Sequence, residues 1–313
     1  MLDNFLTAVN AVMPFILYMG LGYLIVRTKT ADEAFLNKLN SMVFKAFFPV
    51  MLFNNFYTMD LSQGIGGTMA LFAVGAILAV TGLAFLTISR TKLPDKRKGV
   101  VIQALFRGNA ALFALPLAES VCGAAGRTAA SVMVAVAVPM FNVLAVIILE
   151  KYSGGKTGVL TLLKKVVTNP LILGAAVGLI FLLLKIKLPV FITKPVSAVS
   201  SATTPLALMA LGGTLHFASV KDNRRILGTT IGVRLLVIPA LILAASLLFT
   251  MTDAERFSMF TAFASPVAVS SYTMAANMGS DGELAGQMVC VSTVVSLVTM
   301  FLWILFFKSM GLV

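Results

Sequence analysis

Pro14-Phe15-Ile16-Leu17-Tyr18-Met19-Gly20-Leu21-Gly22 and Pro170-Leu171-Ile172-Leu173-Gly174-Ala175-Ala176-Val177-Gly178 both open on proline, carry Ile-Leu two residues later and close on glycine, 156 residues apart. The same shift lays Pro49 on Pro205. It also lays Phe35, Lys38, Ser41, Val43, Ala46 and Leu52 on Phe191, Lys194, Ser197, Val199, Ala202 and Leu208. A shift of 156 is half of the 313-residue chain, so the sequence reads as an internal duplication. In an apolar chain, a duplicated unit with an odd number of membrane crossings gives two halves of opposite orientation.

The composition puts the chain in a bilayer. Hydrophobic residues make up 59% and charged residues 12%, with a mean hydropathy of +0.98, more apolar surface than a soluble fold of this length buries. The charges cluster between apolar runs, each near the roughly 20 residues that cross about 30 Å of hydrocarbon as a helix. Backbone groups inside lipid must be satisfied internally, so these runs are helices. The net charge of +12 would suggest nucleic acid in a soluble protein; here it reads as loop charge that sets topology, with no nucleic-acid partner. Cys122 and Cys290 lie far apart in apolar stretches without metal-ligand spacing, so no metal is expected. The N-terminus has Asp3 and no basic run before its apolar segment, which argues against a cleaved signal peptide.

Hydropathy predicts ten spans, near residues 5–26, 34–56, 66–88, 99–120, 124–149, 166–184, 191–215, 226–250, 256–278 and 283–307. The longest loop, Glu150 to Lys165, contains Ser153-Gly154-Gly155 and is too short for a soluble domain. Of the 24 Lys and Arg, 14 fall in the second, fourth, sixth, eighth and tenth inter-span segments, counting the N-terminus as first; six fall on the other side and four within spans. The basic side, marked by Arg90, Lys92, Lys96, Arg97 and Lys98, should face the cytoplasm. Both termini are then outside, and the protein sits as a multi-pass protein in the cytoplasmic membrane. Residues 1–156 and 157–313 form the two expected repeats of five spans each.

Two spans break. A helix interruption in lipid is tolerated where the freed backbone faces protein or a water-filled cavity, so breaks point to sites. The fourth span runs through Gln103 to Arg107-Gly108-Asn109; the ninth runs through Ser265-Pro266. Adding 156 to Asn109 gives Ser265, so the breaks are repeat mates. Gly108 lowers helix propensity, Asn109 can bond loose backbone groups, and Pro266 removes an N–H. Half-helix N-termini at such breaks carry partial positive charge suited to an anion. Asn109, Gly108, Arg107, Ser265, Pro266 and Ser270 are the candidate binding residues, with Gln103, Asn142, Thr204 and Asn54 as neighbours.

Arg107 adjoins the break, where its planar fork could hold a carboxylate; the alternative is a bond to backbone or a snorkel to the interface. Arg234 has no break beside it in sequence, and a structural or lipid-facing role is expected. Buried carboxylates are scarce: Glu119 ends a span, Asp60 follows one, and Asp281 with Glu283 stands at the junction of the ninth and tenth spans. His216 reads as an interfacial side chain. No cofactor is expected, and sodium or a proton remains open as a coupling ion.

At these residues the chain resembles the auxin efflux carrier family, which includes plant PIN proteins and bacterial carriers of malate or malonate. The resemblance rests on Arg107-Gly108-Asn109 followed by Leu115-Pro116-Leu117, on Asn169-Pro170-Leu171, on Pro205-Leu206-Ala207-Leu208 with Gly212-Gly213, and on Ser265-Pro266 with Glu283-Leu284-Ala285. It covers essentially the whole chain. It implies an all-α membrane fold of ten helices in two inverted five-helix repeats, with a scaffold from spans 1, 2, 6 and 7 and a transport domain from spans 3–5 and 8–10. Broken helices 4 and 9 would cross at the substrate site, with Asn109 and Pro266 as the crossover residues. The expectation is secondary transport of a small organic anion, a mono- or dicarboxylate, in contact with membrane lipid and compatible with a homodimer. The alternative is a membrane sensor that binds without transport. An enzyme is not expected, since no catalytic pair is evident.

Overall fold

In the computed structural model the described residues are 2–59, 67–153, 159–215 and 220–311. Asp60, His216 and Gly154-Gly155 lie outside them. Among the described residues all regular structure is helical, and the one β-type pairing is an isolated antiparallel bridge between Gly108 and Val267. We number the helices α1 Leu2–Arg27, α2 Glu33–Met42, α3 Phe48–Tyr57, α4 Gly67–Ser89, α5 Asp95–Phe106, α6 Ala110–Tyr152 and α7 Val159–Val167. The second half holds α8 Pro170–Leu183, α9 Val190–Thr214, α10 Arg224–Gly232, α11 Ile238–Ser246, α12 Asp253–Ala264, α13 Ser270–Asn277 and α14 Gly282–Ser309.

Five helical stretches are long and apolar enough to cross a membrane: Gly67–Ser89, Ala110–Tyr152, Val190–Thr214, Arg224–Ser246 and Gly282–Ser309. The hydropathy reading expects ten crossings, and the difference has local causes. The stretches at 99–120 and 256–278 are each divided by a break, and α8 is only 14 residues long. α6 holds two expected spans that meet at Gly123, whose φ 62° and ψ −145° are non-helical and favour glycine; the chain turns back there, since a Cβ on Gly126 would meet the Ala118 carbonyl and Arg127 pairs with Glu119 at 3.2 Å. Part of the expected loop 150–165 is helix instead, since α6 continues to Tyr152 and α7 begins at Val159.

Two π turns, Val43–Phe47 and Val233–Val237, each precede a proline by two residues, Pro49 and Pro239. A proline cannot donate to the carbonyl four residues back, which leaves that oxygen free. Behind Pro239 the free carbonyl belongs to Leu235, and the Trp303 indole donates to it at 2.9 Å.

Small residues set the helix contacts. Gly22 of α1 meets the Met209 backbone of α9, and Gly178 of α8 meets the Phe53 backbone of α3, so that neither glycine has room for a Cβ. The 156-residue shift turns the first pair into the second with the partners exchanged. Phe47 and Thr203, themselves 156 apart, are in direct contact through a Thr203 hydroxyl donating to the Phe47 carbonyl at 3.4 Å.

At one end of the bundle the basic segments converge. Arg97 donates to Asp281 at 3.0 Å and to Asn223 at 2.6 Å, Asn223 donates to Gln287 at 2.8 Å, and the Ser89 and Tyr152 hydroxyls lie 2.9 Å apart. These residues come from or adjoin four segments that the charge pattern assigns to one side of the membrane.

Candidate functional site

The two helix breaks cross in the middle of the bundle. α5 ends at Phe106, Arg107 turns to extended backbone (φ −91°, ψ 97°), and α6 starts after Asn109. α12 ends at Ala264, Ser265 turns extended (φ −62°, ψ 149°), and α13 starts at Ser270. The two extended pieces run antiparallel: the Asn109 amide donates to the Pro266 carbonyl at 2.9 Å and the Ala268 amide to the Arg107 carbonyl at 3.3 Å. Val267 N–H donates to the Ser292 hydroxyl of α14 at 3.1 Å. Polar backbone released by the breaks is thus satisfied inside the protein, as lipid requires. Gly108 belongs here because the Arg234 guanidinium, the Ser265 hydroxyl and the Ala262 carbonyl occupy the space a Cβ would need.

The rear of the crossover is held by Arg234, which is fully buried. Its Nη1 donates to the carbonyls of Leu105 at 3.0 Å and Phe106 at 3.4 Å, and its Nη2 to that of Ser265 at 3.1 Å. These are carbonyls at the C-terminal ends of α5 and α12, which lack intrahelical partners and carry partial negative charge. One guanidinium therefore caps both half-helices. The lipid-facing alternative for Arg234 is overturned: it has no break beside it in sequence, but in space it touches both.

The front of the crossover faces a cavity of about 670 Å³ between α1, α3 and α9 on one side and α6 and α13 on the other. Arg107, 3% exposed, reaches it along the wall. Its Nη2 donates to Asn142 Oδ1 at 2.6 Å and to the Ser270 hydroxyl at 2.7 Å, and its Nη1 contacts the Met274 sulfur. Asn142 is itself fixed by donating to the Val138 carbonyl at 2.8 Å. Ala110 and Ala111, first in α6, and Val269 and Ser270, at the start of α13, also line the cavity, and amides in a first helical turn have no intrahelical acceptor. The facing walls combine apolar residues, Phe15, Phe48, Met51, Leu52 and Leu208, with neutral polar ones, Asn10, Asn55, Ser200, Ser201 and Thr204. Arg107 is the one charged side chain among the described residues that line it.

The candidate residues separate accordingly. Arg107, Gly108, Asn109, Asn142, Thr204 and Ser270 line the cavity. Ser265 and Pro266 lie behind it: the Ser265 hydroxyl donates to the Ala262 carbonyl at 2.7 Å and Pro266 accepts from Asn109. Gln103 is fully buried beside the Met274 sulfur at 3.9 Å, and Asn54 donates to the Ser200 hydroxyl at 3.4 Å; neither lines the cavity. The apolar walls and Asn10 were not legible in advance. In a chain this apolar, an aromatic lining residue looks like any other span residue, and the matched breaks were the signal available.

A helical membrane protein whose broken helices cross beside a central cavity is built to handle a solute within the bilayer. The family described as "Membrane transport protein" matches residues 7–304. The chain belongs to this family, that of the auxin efflux carriers, and is a multi-pass membrane transport protein. It is similar to an uncharacterized transporter of Methanothermobacter thermautotrophicus, 26% identical over 307 residues that cover 96% of this chain and 98% of the relative. It is also similar to an uncharacterized transporter of Methanocaldococcus jannaschii, 26% identical over 223 residues, 68% of this chain and 69% of the relative.

Proposed function

We propose that the protein is a secondary transporter that carries a small organic anion across the cytoplasmic membrane by alternating access. The observation that carries this reading is the convergence of the Arg107 guanidinium with the first turns of α6 and α13 on one cavity wall. A planar fork and two half-helix N-termini suit a carboxylate. With a single cation among the described lining residues and no charge on the facing walls, a monocarboxylate fits better than malate or malonate, whose second charge would lack a partner.

The architecture behind this reading is ten crossings in two inverted halves, 1–156 and 157–313. The exchange of Gly22/Met209 for Gly178/Phe53 supports it, as does the meeting of Phe47 with Thr203. α1 with α9 and α3 with α8 would form the scaffold, and the crossover helices would move against it. Both termini would face outward, since the basic segments meet at the opposite end. Tyr272 of α13, bonded through its hydroxyl to Thr214 of α9 at 2.7 Å, would be a link between the two parts that must break as they slide.

The test is uptake of labelled carboxylates into liposomes containing the purified protein, with and without a sodium or proton gradient. Uptake that depends on Arg107 supports the proposal. Binding without flux would make the protein a receptor, and neither binding nor flux for any carboxylate would refute the reading.

A further inference from the structure

A second, almost wholly apolar groove of about 700 Å³ lies between α4 and the continuous α10–α11 rod. Leu71, Gly75, Ala79, Leu83 and Thr87 form one wall and Val233, Val237, Leu241 and Ala245 the other, each recurring every four residues along one helix face, with Phe249 just past the end of the rod. Both walls belong to membrane-spanning helices. From Thr68 to Thr87 the groove runs about 28 Å along α4, nearly the hydrocarbon thickness. Phe72 closes one end edge-on against Phe249, with ring centroids 5.1 Å apart. Space stands open where a side chain on Gly75 would project.

The other end is cationic. One turn beyond Thr87 stands Arg90, followed by Lys92, and the opposite rod begins with Arg224 and Arg225; all four are exposed. The floor includes Leu105, whose carbonyl is held by Arg234. Leu105 is the one crossover residue among the described residues that line the groove, so an occupant packs against the crossover there. A long apolar slot with cations at one mouth suits an acyl chain beneath an anionic headgroup. We propose that the groove holds an acyl chain of an anionic phospholipid from the basic-side leaflet, with its phosphate among Arg90, Arg224 and Arg225. The bound lipid buttresses the crossover from behind. Nothing in this depends on what the Arg107 cavity carries.

The test is native mass spectrometry of the full-length protein, delipidated in detergent and incubated with equal phosphatidylglycerol and phosphatidylethanolamine. The wild type should retain phosphatidylglycerol preferentially. Arg90→Gln, Arg224→Gln and Arg225→Gln should each lower that preference by about fivefold. Ala79→Trp and Ala245→Trp, which fill the slot from opposite walls, should lower retention of both lipids. Equal retention of the two lipids by the wild type would overturn the proposal, as would wild-type retention by both tryptophan variants. A dimer that dissociates on Ala79→Trp while lipid retention is unchanged would assign the slot to a second copy of the chain, and likewise overturn it.

Discussion

Arg107 and Arg234 stand on opposite faces of one crossover, both buried in a membrane helix bundle, and they bond to different kinds of group. Arg234 donates to three main-chain carbonyls, Leu105, Phe106 and Ser265. Arg107 donates to side chains, Asn142 and Ser270, on the wall of a cavity. Carbonyls at helix ends are permanent features of the fold, so the rear arginine serves the architecture. Neutral amide and hydroxyl partners leave the charge of the front arginine uncompensated, so an anion has something to gain by entering. A buried cation is costly in either place; helix dipoles compensate it at the rear, and a ligand would at the front.

That contrast can be broken by separating stability from binding. The largest effect should come from Arg234→Met, which strands three buried carbonyls; unfolding in detergent should show a loss of about 3–5 kcal/mol. If this variant is as stable as the wild type, the rear guanidinium does not hold the crossover. Arg107→Gln should leave the melting temperature close to wild type while lowering carboxylate uptake by about a hundredfold, which uptake initial rates would read. Gly108→Ala blurs the two roles, because its methyl collides with Arg234 on one side and distorts the cavity wall on the other. It should cost about 1–3 kcal/mol in the same unfolding assay and reduce transport with it. Ser270→Ala, removing one neutral partner of Arg107, should weaken ligand affinity by only about fivefold in a binding titration. A larger loss with Ser270→Ala than with Arg107→Gln would move the anion contact away from the guanidinium.

The positions of the breaks could be read from the chain because Gly108-Asn109 and Ser265-Pro266 disfavour helix through their own backbone chemistry, and the 156-residue shift lays Asn109 on Ser265. Asn142 and Ser270 were legible as polar residues in apolar surroundings. Arg234 reads from sequence as structural or lipid-facing, and the structure keeps the first; which groups it holds is hidden because its partners lie more than 30 residues away, and a reading along its own helix finds nothing for it to cap. Ser265 misled in the opposite sense: alignment with Asn109 suggested a shared place at the cavity, yet its hydroxyl turns back onto Ala262 within its own helix end. The π turns are signalled by Pro49 and Pro239 only after one knows that the helices continue past them. Phe15, Phe48 and Phe141 carry no contrast against their apolar surroundings, so the cavity walls required the tertiary structure.

The central claim is that Arg107 makes the front of the crossover an anion site. It is tested most directly by ligand-induced thermal shift of the purified protein, comparing wild type with Arg107→Gln against 4-phenylbutyrate and malonate. A bound ligand must stabilise the folded state. The prediction is a concentration-dependent rise in melting temperature for the wild type, larger with 4-phenylbutyrate than with malonate, and none for Arg107→Gln. An equal rise in both proteins would contradict it.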